Sequence, residues 1–198
     1  MPKMQATSST LVCLSLSLHA ASATAQTLSG EIYFVINGSL SVSTPVVELE
    51  MWAKFTPVPG VAEIFLGAFG KMGFSEGVDF TTFVTPPGQF ASLSGSSPGS
   101  NFTYSGGQVY FPPMFPGILD NPFLLFTASL TSPDITTRRT IDLSTQTIVF
   151  SVASFPAAVS TNLPLSSVTE GSAKIHVVPS PAPLALLCLA PMIARRRR

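Results

Sequence analysis

Glycine and proline are spread along the whole chain, and this is the feature that most restricts its fold. The 198 residues include 14 Gly and 18 Pro. Between residues 26 and 176 they recur too often to leave room for a helix of ordinary length. The segments between them are rich in β-branched and aromatic residues, and several alternate between apolar and polar positions. The body of the chain is therefore predicted to be all-β.

The clearest predicted strand covers residues 47–55, where apolar side chains occupy every second position. Another strand-like run, 31–36, is followed by Asn37 and Gly38, a pair typical of type I′ turns, and then by the alternating residues 39–43. This order predicts a hairpin between 31–36 and 39–43. The apolar face of the 47–55 strand consists of Val47, Leu49, Met51, Ala53 and Phe55.

Further strands are predicted at regular intervals, and a total of nine or ten short strands at this spacing is typical of a sandwich. We predict an antiparallel two-sheet β-sandwich, with a β-barrel as the alternative. Residues 94–107 are predicted as a long Gly/Ser loop, and 155–171 as a tether rich in Pro, Ser and Thr. The remaining strand candidates are 62–69, 78–84, 108–111, 123–130, 135–143, 147–153 and 173–178.

The N-terminus has the order of a secretory signal peptide. Lys3 provides a weakly basic start, and residues 11–21 form a largely apolar stretch that is too short to span a bilayer. Ala23 and Ala25 form an A-x-A cleavage motif, which predicts a mature chain starting near Gln26. Residues 1–25 are therefore a predicted signal peptide, handled by the secretion channel and signal peptidase, and 26–176 are the predicted β-sandwich domain.

The C-terminus, residues 177–198, combines three features: a turn motif, a short apolar segment and a basic end. The apolar segment 183–194 has 12 residues, fewer than the roughly 20 needed for a full span. Four arginines after it are expected to stay on the cytoplasmic face. The turn motif is Val178, Pro179, Ser180 and Pro181, and the basic end is Arg195, Arg196, Arg197 and Arg198.

This arrangement resembles the PEP-CTERM sorting signal of Gram-negative bacteria that have an exosortase system. In that family Val-Pro-Glu-Pro precedes a short hydrophobic helix and an Arg-rich end. Here Ser180 replaces the Glu, as in Val-Pro-x-Pro variants of the planctomycete type. The resemblance implies a C-terminal hydrophobic sorting helix that is recognised by an exosortase-type membrane protease. It also implies transient anchoring in the inner membrane before the body reaches the cell surface or the extracellular space.

Cysteine and charge restrict the chemistry of the body. Cys13 and Cys188 both lie in the predicted ends, so no disulfide is expected within the body. Only 10% of the residues are charged, against roughly 25% in ordinary soluble domains. Five basic and ten acidic residues lie between 26 and 176. A body with this excess of negative charge is not expected to bind nucleic acid.

Candidate catalytic and metal-binding residues are few. Ser97 lies in a Gly-x-Ser-x-Gly match, but without the strand and helix that a nucleophile elbow needs, and His176 is the only histidine of the body. Glu48 and Glu50 share one strand face, as residues of a solvated face normally do. Calcium is a further hypothesis, because turns contribute carboxylates. Those turn carboxylates belong to Glu76, Asp79 and Asp120.

Trp52 is the most interesting of the candidate residues. Alternation places its ring on the polar face of the 47–55 strand, where it either stacks on a sugar or packs as a partly covered core residue. We predict an exported cell-envelope or extracellular-matrix protein with a structural or adhesive role, no enzymatic activity and no cofactor. Extracellular polysaccharide is an expected partner. The alternatives are a carbohydrate-binding module that uses Trp52 and a secreted hydrolase that uses Glu48 or Glu50.

Overall fold

The computed structural model describes residues 27–109, 117–155 and 159–179. These residues form ten strands and one short 3₁₀ turn at Leu165–Ser167. The predicted signal peptide, its cleavage residues Ala23 and Ala25, and the predicted sorting helix lie outside the described residues. The strands are β1 (Ser29–Asn37), β2 (Val47–Thr56), β3 (Ala62–Val84), β4 (Gln89–Gly95), β5 (Gly99–Gln108), β6 (Phe123–Thr131), β7 (Arg139–Phe155), β8 (Val159–Asn162), β9 (Val168–Thr169) and β10 (Ser172–Val177).

The strands form one sheet that folds over into two layers. The first layer has the order β9-β1-β2-β6 and ends on the C-terminal part of β3. The second layer contains the N-terminal part of β3 between β5 and β7, with β4 beside β5, and with β8 and β10 along the far side of β7. Ladders between the long strands are antiparallel, and the short β1–β9 ladder is parallel. The predicted all-β, two-sheet β-sandwich is therefore confirmed.

Strand β3 joins the two layers because it is long enough to belong to both. Its first half, up to Phe74, pairs with β7, and the part from Asp79 to Val84 pairs with β6. The register shifts between Gly73 and Val78, where the strand passes from one layer to the other. The prediction of two separate strands, 62–69 and 78–84, is thus wrong. The intervening glycines continue the strand through the change of layer.

The core lies between the layers and is built from alternating positions. All five residues of the predicted apolar face of β2, from Val47 to Phe55, are buried, as predicted. They belong to the same core as an aromatic cluster in which the centroid of the Phe65 ring lies 4.8 Å from that of Phe123 and 5.2 Å from that of Phe150. Each such side chain contributes about 1.5–3 kcal/mol when it is fully buried. Burial of apolar residues from both layers therefore holds the sandwich together.

The predicted hairpin at Asn37 and Gly38 is wrong in its second strand. Gly38 makes the turn with φ +109°, but β1 pairs with β2 rather than with residues 39–43. Leu40 is fully buried, while Val42 is 55% exposed. Residues 39–43 therefore lack the repeated apolar face of a strand. Instead, Leu40 N donates to His176 O (2.9 Å), and Val178 N donates to Leu40 O (2.8 Å), which links the first layer to β10.

The two predicted loops also contain regular structure. Most of 94–107 belongs to β4 and β5, which form a hairpin around residues 96–98. The proposed strand 108–111 is instead the end of β5 at Gln108, and residues 110 and 111 lie outside the described residues. The described part of 155–171 contains β8, the 3₁₀ turn and β9. Among the described residues, no helix is long and apolar enough to cross a membrane.

Candidate functional site

Trp52 lies half-buried on the outer face of the first layer, opposite the core face of β2. Its ring stacks beside Tyr33 of β1, with centroids 6.3 Å apart and planes 7° from parallel. Its Nε1 donates a hydrogen bond to Glu50 Oε2 at 2.8 Å. Two neighbours therefore fix the orientation of the indole ring, although part of it stays open to solvent.

A cavity of about 430 Å³ lies next to Trp52. It lies beside Trp52 of β2 and the first residues of β6. The connection between β3 and β4 and the segment just before β6 complete its lining. Asn121 holds one of these connections against β2, because its Nδ2 donates to Phe55 O (2.7 Å) and its Oδ1 accepts from Phe55 N (3.1 Å). The lining residues are Trp52, Pro86, Gln89, Asp120, Asn121, Pro122, Phe123 and Leu124.

Glu48 and Glu50 lie on the solvated face of β2, as the alternation predicts. Glu48 is exposed, and Glu50 is half-buried between Trp52 and Asn37, whose Nδ2 donates to Glu50 Oε1 at 3.4 Å. One carboxylate is open to solvent and the other is bonded to Trp52 and Asn37, so the two do not face each other across a cleft as a catalytic pair would. The structure therefore gives the hydrolase hypothesis no support.

Ser97 and His176 are engaged with other residues and do not contact each other. Ser97 lies in the exposed turn between β4 and β5, and its Oγ donates to Asp79 Oδ1 at 2.6 Å. His176 lies exposed on β10, where its Nδ1 is 3.4 Å from Thr140 Oγ1. The Gly-x-Ser-x-Gly match is followed by a strand rather than a helix, so it is not a nucleophile elbow.

The carboxylates considered for calcium are separated by the fold. Glu76 Oε1 accepts a 2.6 Å hydrogen bond from Arg139 Nε, and Asp79 is paired with Ser97. Asp120 lies at the cavity beside Trp52. Within the described ranges, no group of three or more His, Cys, Asp or Glu residues is arranged to hold a metal ion.

A polar cluster in the second layer, in which Tyr104, Thr145 and Thr147 are buried and Glu170 is exposed, is absent from the sequence prediction. Tyr104 Oη lies 3.0 Å from Thr147 Oγ1, and Thr147 N and Oγ1 donate to the Glu170 carboxylate at 2.7 and 3.1 Å. Thr145 Oγ1 also donates to Glu170, at 2.9 Å. Burial raises the pKa of Tyr104 to about 12, so its hydroxyl is neutral at physiological pH. The cluster attaches the segment before β10 to the middle of β7.

The outer face of the second layer carries an apolar groove of about 640 Å³, here called the outer groove. Gly67 and Gly106 are among its lining residues, together with three apolar side chains that reach solvent, Phe69 (40% exposed), Phe90 (47%) and Val109 (54%). Sequence analysis missed this surface because its β5 residues Ser105 and Gly106 fall within the predicted Gly/Ser loop 94–107. Its other lining residues are Leu66, Ala68, Ser105, Gln108, Val149, Ser151, Ala153, Ser160 and Asn162.

Comparisons with known proteins identify the fold. No family model matches the chain, and no curated protein matches its sequence. Among solved structures, a cohesin module of a family 33 glycoside hydrolase from Clostridium perfringens is similar, with a TM-score of 0.51 and 13% identity over 78% of this chain and 100% of that one. A type I cohesin from Pseudobacteroides cellulosolvens gives a TM-score of 0.52 and 11% identity, over 77% of this chain and 94% of that one. The fold is thus that of cohesin-like β-sandwiches.

Proposed function

We propose that this protein is an exported, non-catalytic module with a structural or adhesive role in the cell envelope or extracellular matrix, and that it binds a protein partner through the outer groove. The cohesin-like fold supports a binding role over a catalytic one, because the similar structures are cohesin modules. The candidate catalytic residues are also engaged elsewhere, Ser97 with Asp79 and Glu50 with Trp52.

The outer groove is the observation that carries this proposal. Exposed apolar patches on soluble domains mark interaction sites, and here the exposed Phe69 and Phe90 side chains lie in one lining with Gly67 and Gly106. Hydroxyl and amide groups of Ser105, Ser160 and Asn162 lie in the same lining. A surface that combines exposed apolar side chains with polar groups is typical of a protein interface. The excess of acidic residues in the body favours a partner surface that is neutral or basic.

We also propose that the two ends deliver the module to its place of action. The predicted signal peptide directs secretion, and the PEP-CTERM-like tail holds the protein in the inner membrane until an exosortase-type protease acts. Val178 N donates to Leu40 O, so regular contacts of the domain extend to the first residue of the Val178-Pro179-Ser180-Pro181 motif. A processing site immediately after the domain would release it without removing a strand.

The experiment compares envelope association in producing cells that express the full chain. Replacing the exposed residues Phe69 and Phe90 by serine removes two large apolar side chains from the lining of the outer groove. The matched control substitutes Val84 (57% exposed) and Val42 (55%), which do not line the groove. We expect the Phe variant to move from the envelope and matrix fraction to the medium, and the control to fractionate like the parent. Equal retention of both variants would contradict the proposal.

A further inference from the structure

We infer that the cavity beside Trp52 binds a neutral sugar unit of a polysaccharide, which is a second binding site that does not depend on the outer groove. The Trp52 ring forms one wall of this cavity, and Pro86 and Pro122 provide rigid apolar lining. Its volume of about 430 Å³ lies in the range of small-ligand sites. The cavity lies on the first layer, whereas the outer groove lies on the second.

The position of Trp52 suits stacking on a sugar ring. In the first layer β2 lies between β1 and β6, and Trp52 pairs with Tyr33 on one side and with Leu124 on the other. Tyr33 stacks on the β1 side, and the cavity, which includes Leu124, opens on the β6 side. The negative face of an aromatic ring attracts the C–H groups of a sugar. Because Glu50 and Tyr33 already fix the indole, little side-chain freedom is lost on binding.

Polar groups for sugar hydroxyls lie on the same lining. Gln89 Oε1 is buried and has no hydrogen-bond partner among the described residues, and a buried acceptor without a donor is costly. If the Gln89 side chain rotates toward the cavity, a hydroxyl group of the ligand can donate a hydrogen bond to Oε1. Asp120 is exposed and lines the same cavity, so its carboxylate is accessible to a sugar hydroxyl. Asn121 serves a different purpose, because both ends of its amide are bonded to Phe55.

Charge selects the class of sugar. The outer face of the first layer, which carries Trp52, also carries Glu48 and Glu50 on β2 and Glu31 on the neighbouring β1, and Asp120 lies in the cavity lining. Lys54 is the basic residue on the same face of β2. This excess of negative charge repels sugars that carry carboxylate or sulfate groups. A neutral hexose polysaccharide is therefore the ligand that fits the aromatic wall, the hydrogen-bonding groups and the charge.

Trp52 is the only tryptophan of the chain, so its fluorescence reports on this site directly. The protein is produced from the full chain through its own export route and titrated with soluble neutral glucan and mannan oligosaccharides. Alginate oligosaccharides serve as the anionic comparison. We expect saturable changes in emission with at least one neutral series and none with alginate. Absence of a response to every neutral series, or tighter binding of alginate, would overturn the inference.

Two substitutions in the cavity lining distinguish binding at this site from an unspecific change in emission. We expect Asp120→Ala and Gln89→Ala each to weaken binding roughly tenfold, which corresponds to one lost hydrogen bond. Trp52→Ala, measured by affinity electrophoresis in the same glycan, should abolish retardation. The variant with serine at Phe69 and Phe90 should bind the glycan like the parent, because the cavity beside Trp52 is unchanged. This variant therefore distinguishes an error in the proposed function of the outer groove from an error in the proposed sugar site. Unchanged affinity in both Asp120→Ala and Gln89→Ala would contradict the inference.

Discussion

Gly70 of β3 lies directly against Tyr104 of β5, so closely that a Cβ atom on Gly70 would come within 2.6 Å of the Tyr104 hydroxyl oxygen. The same Cβ would meet the carbonyl oxygen of Gln146 on β7 at 2.5 Å. The missing side chain at Gly70 is what lets the buried Tyr104 ring and its hydrogen bond to Thr147 fit between the strands. A residue that looks like a strand breaker in the sequence is therefore needed for packing of the second layer.

Gly70→Ala is expected to destabilise the protein by about 1–3 kcal/mol, the usual cost of overpacking a core. Gly73→Ala is the matched control in the same strand, because a Cβ there meets no atom closer than 3.8 Å. It should be neutral or stabilise the protein by up to about 1 kcal/mol. Urea unfolding of the two variants beside the parent measures the difference. A Gly70→Ala variant as stable as Gly73→Ala would show that Tyr104 is not packed as described.

Tyr104 should make stability depend on pH in the alkaline range. Its pKa is raised by burial from 10 to about 12, so between these values the unfolded chain loses a proton that the folded chain keeps. The stabilisation that follows from this difference in pKa is therefore complete below pH 10 and is lost as the pH rises through 12. The free energy of unfolding falls by about 2–3 kcal/mol in total. Tyr104→Phe should flatten this part of the melting-temperature profile. Identical slopes for parent and variant between pH 10 and 12 would contradict the assignment.

Periodicity predicted the parts of the fold in which one face of a strand is buried. In β2 the pattern assigned every residue from Val47 to Phe55 to the correct face, including Trp52 on the outside. The pattern failed where the residues between strands resemble strands themselves. In 39–43 the alternation is present, but burial of Leu40 against β10 depends on contacts about 140 residues apart, which no local pattern contains.

The outer groove and the Tyr104 cluster could not be predicted, and for the same physical reason. Gly and Ser residues in β4 and β5 have low intrinsic strand preference, and their strand state follows from neighbours in the sheet. Gly107 illustrates this, because a Cβ there would clash with the Leu66 carbonyl oxygen of the adjacent strand. Likewise, Glu170 reaches Thr147 only because the segment before β10 returns along β7.

The melting temperature of the domain should not depend on reducing agents. Its described residues contain no cysteine, since Cys13 and Cys188 lie in the two ends. We expect the same melting temperature with and without dithiothreitol, in protein purified after export. A shift on reduction would show that a disulfide involving Cys13 or Cys188 contributes to the exported form, and that at least one end is retained.

The basic end should determine where the tail stops in the membrane. A charged residue at the centre of a bilayer costs about 2.5–3.5 kcal/mol on insertion scales, so Arg195, Arg196, Arg197 and Arg198 together oppose translocation of the 12 apolar residues before them. With four neutral residues instead, unprocessed protein should appear in the periplasm or medium. Intact-mass spectrometry of each fraction detects the retained tail.

Replacement of Ser180 and Pro181 by alanine tests recognition of the tail separately from its anchoring. Both positions follow Val178, so the residue whose N–H donates to Leu40 O is itself unchanged. We expect this variant to stay membrane-bound and uncut. Normal cleavage and export of both this variant and the variant without arginines would show that the tail is not a sorting signal.

The most direct test of a binding module that acts through the outer groove is hydroxyl-radical footprinting of the protein in its envelope-bound and free states. The labelling of Phe69, Phe90 and Val109, which are all exposed in the free domain, should fall strongly on binding. Val42 and Val84, of similar or greater exposure, should be labelled equally in both states. Protection of Val42 and Val84 with unchanged labelling at Phe69 and Phe90 would contradict the proposed binding surface.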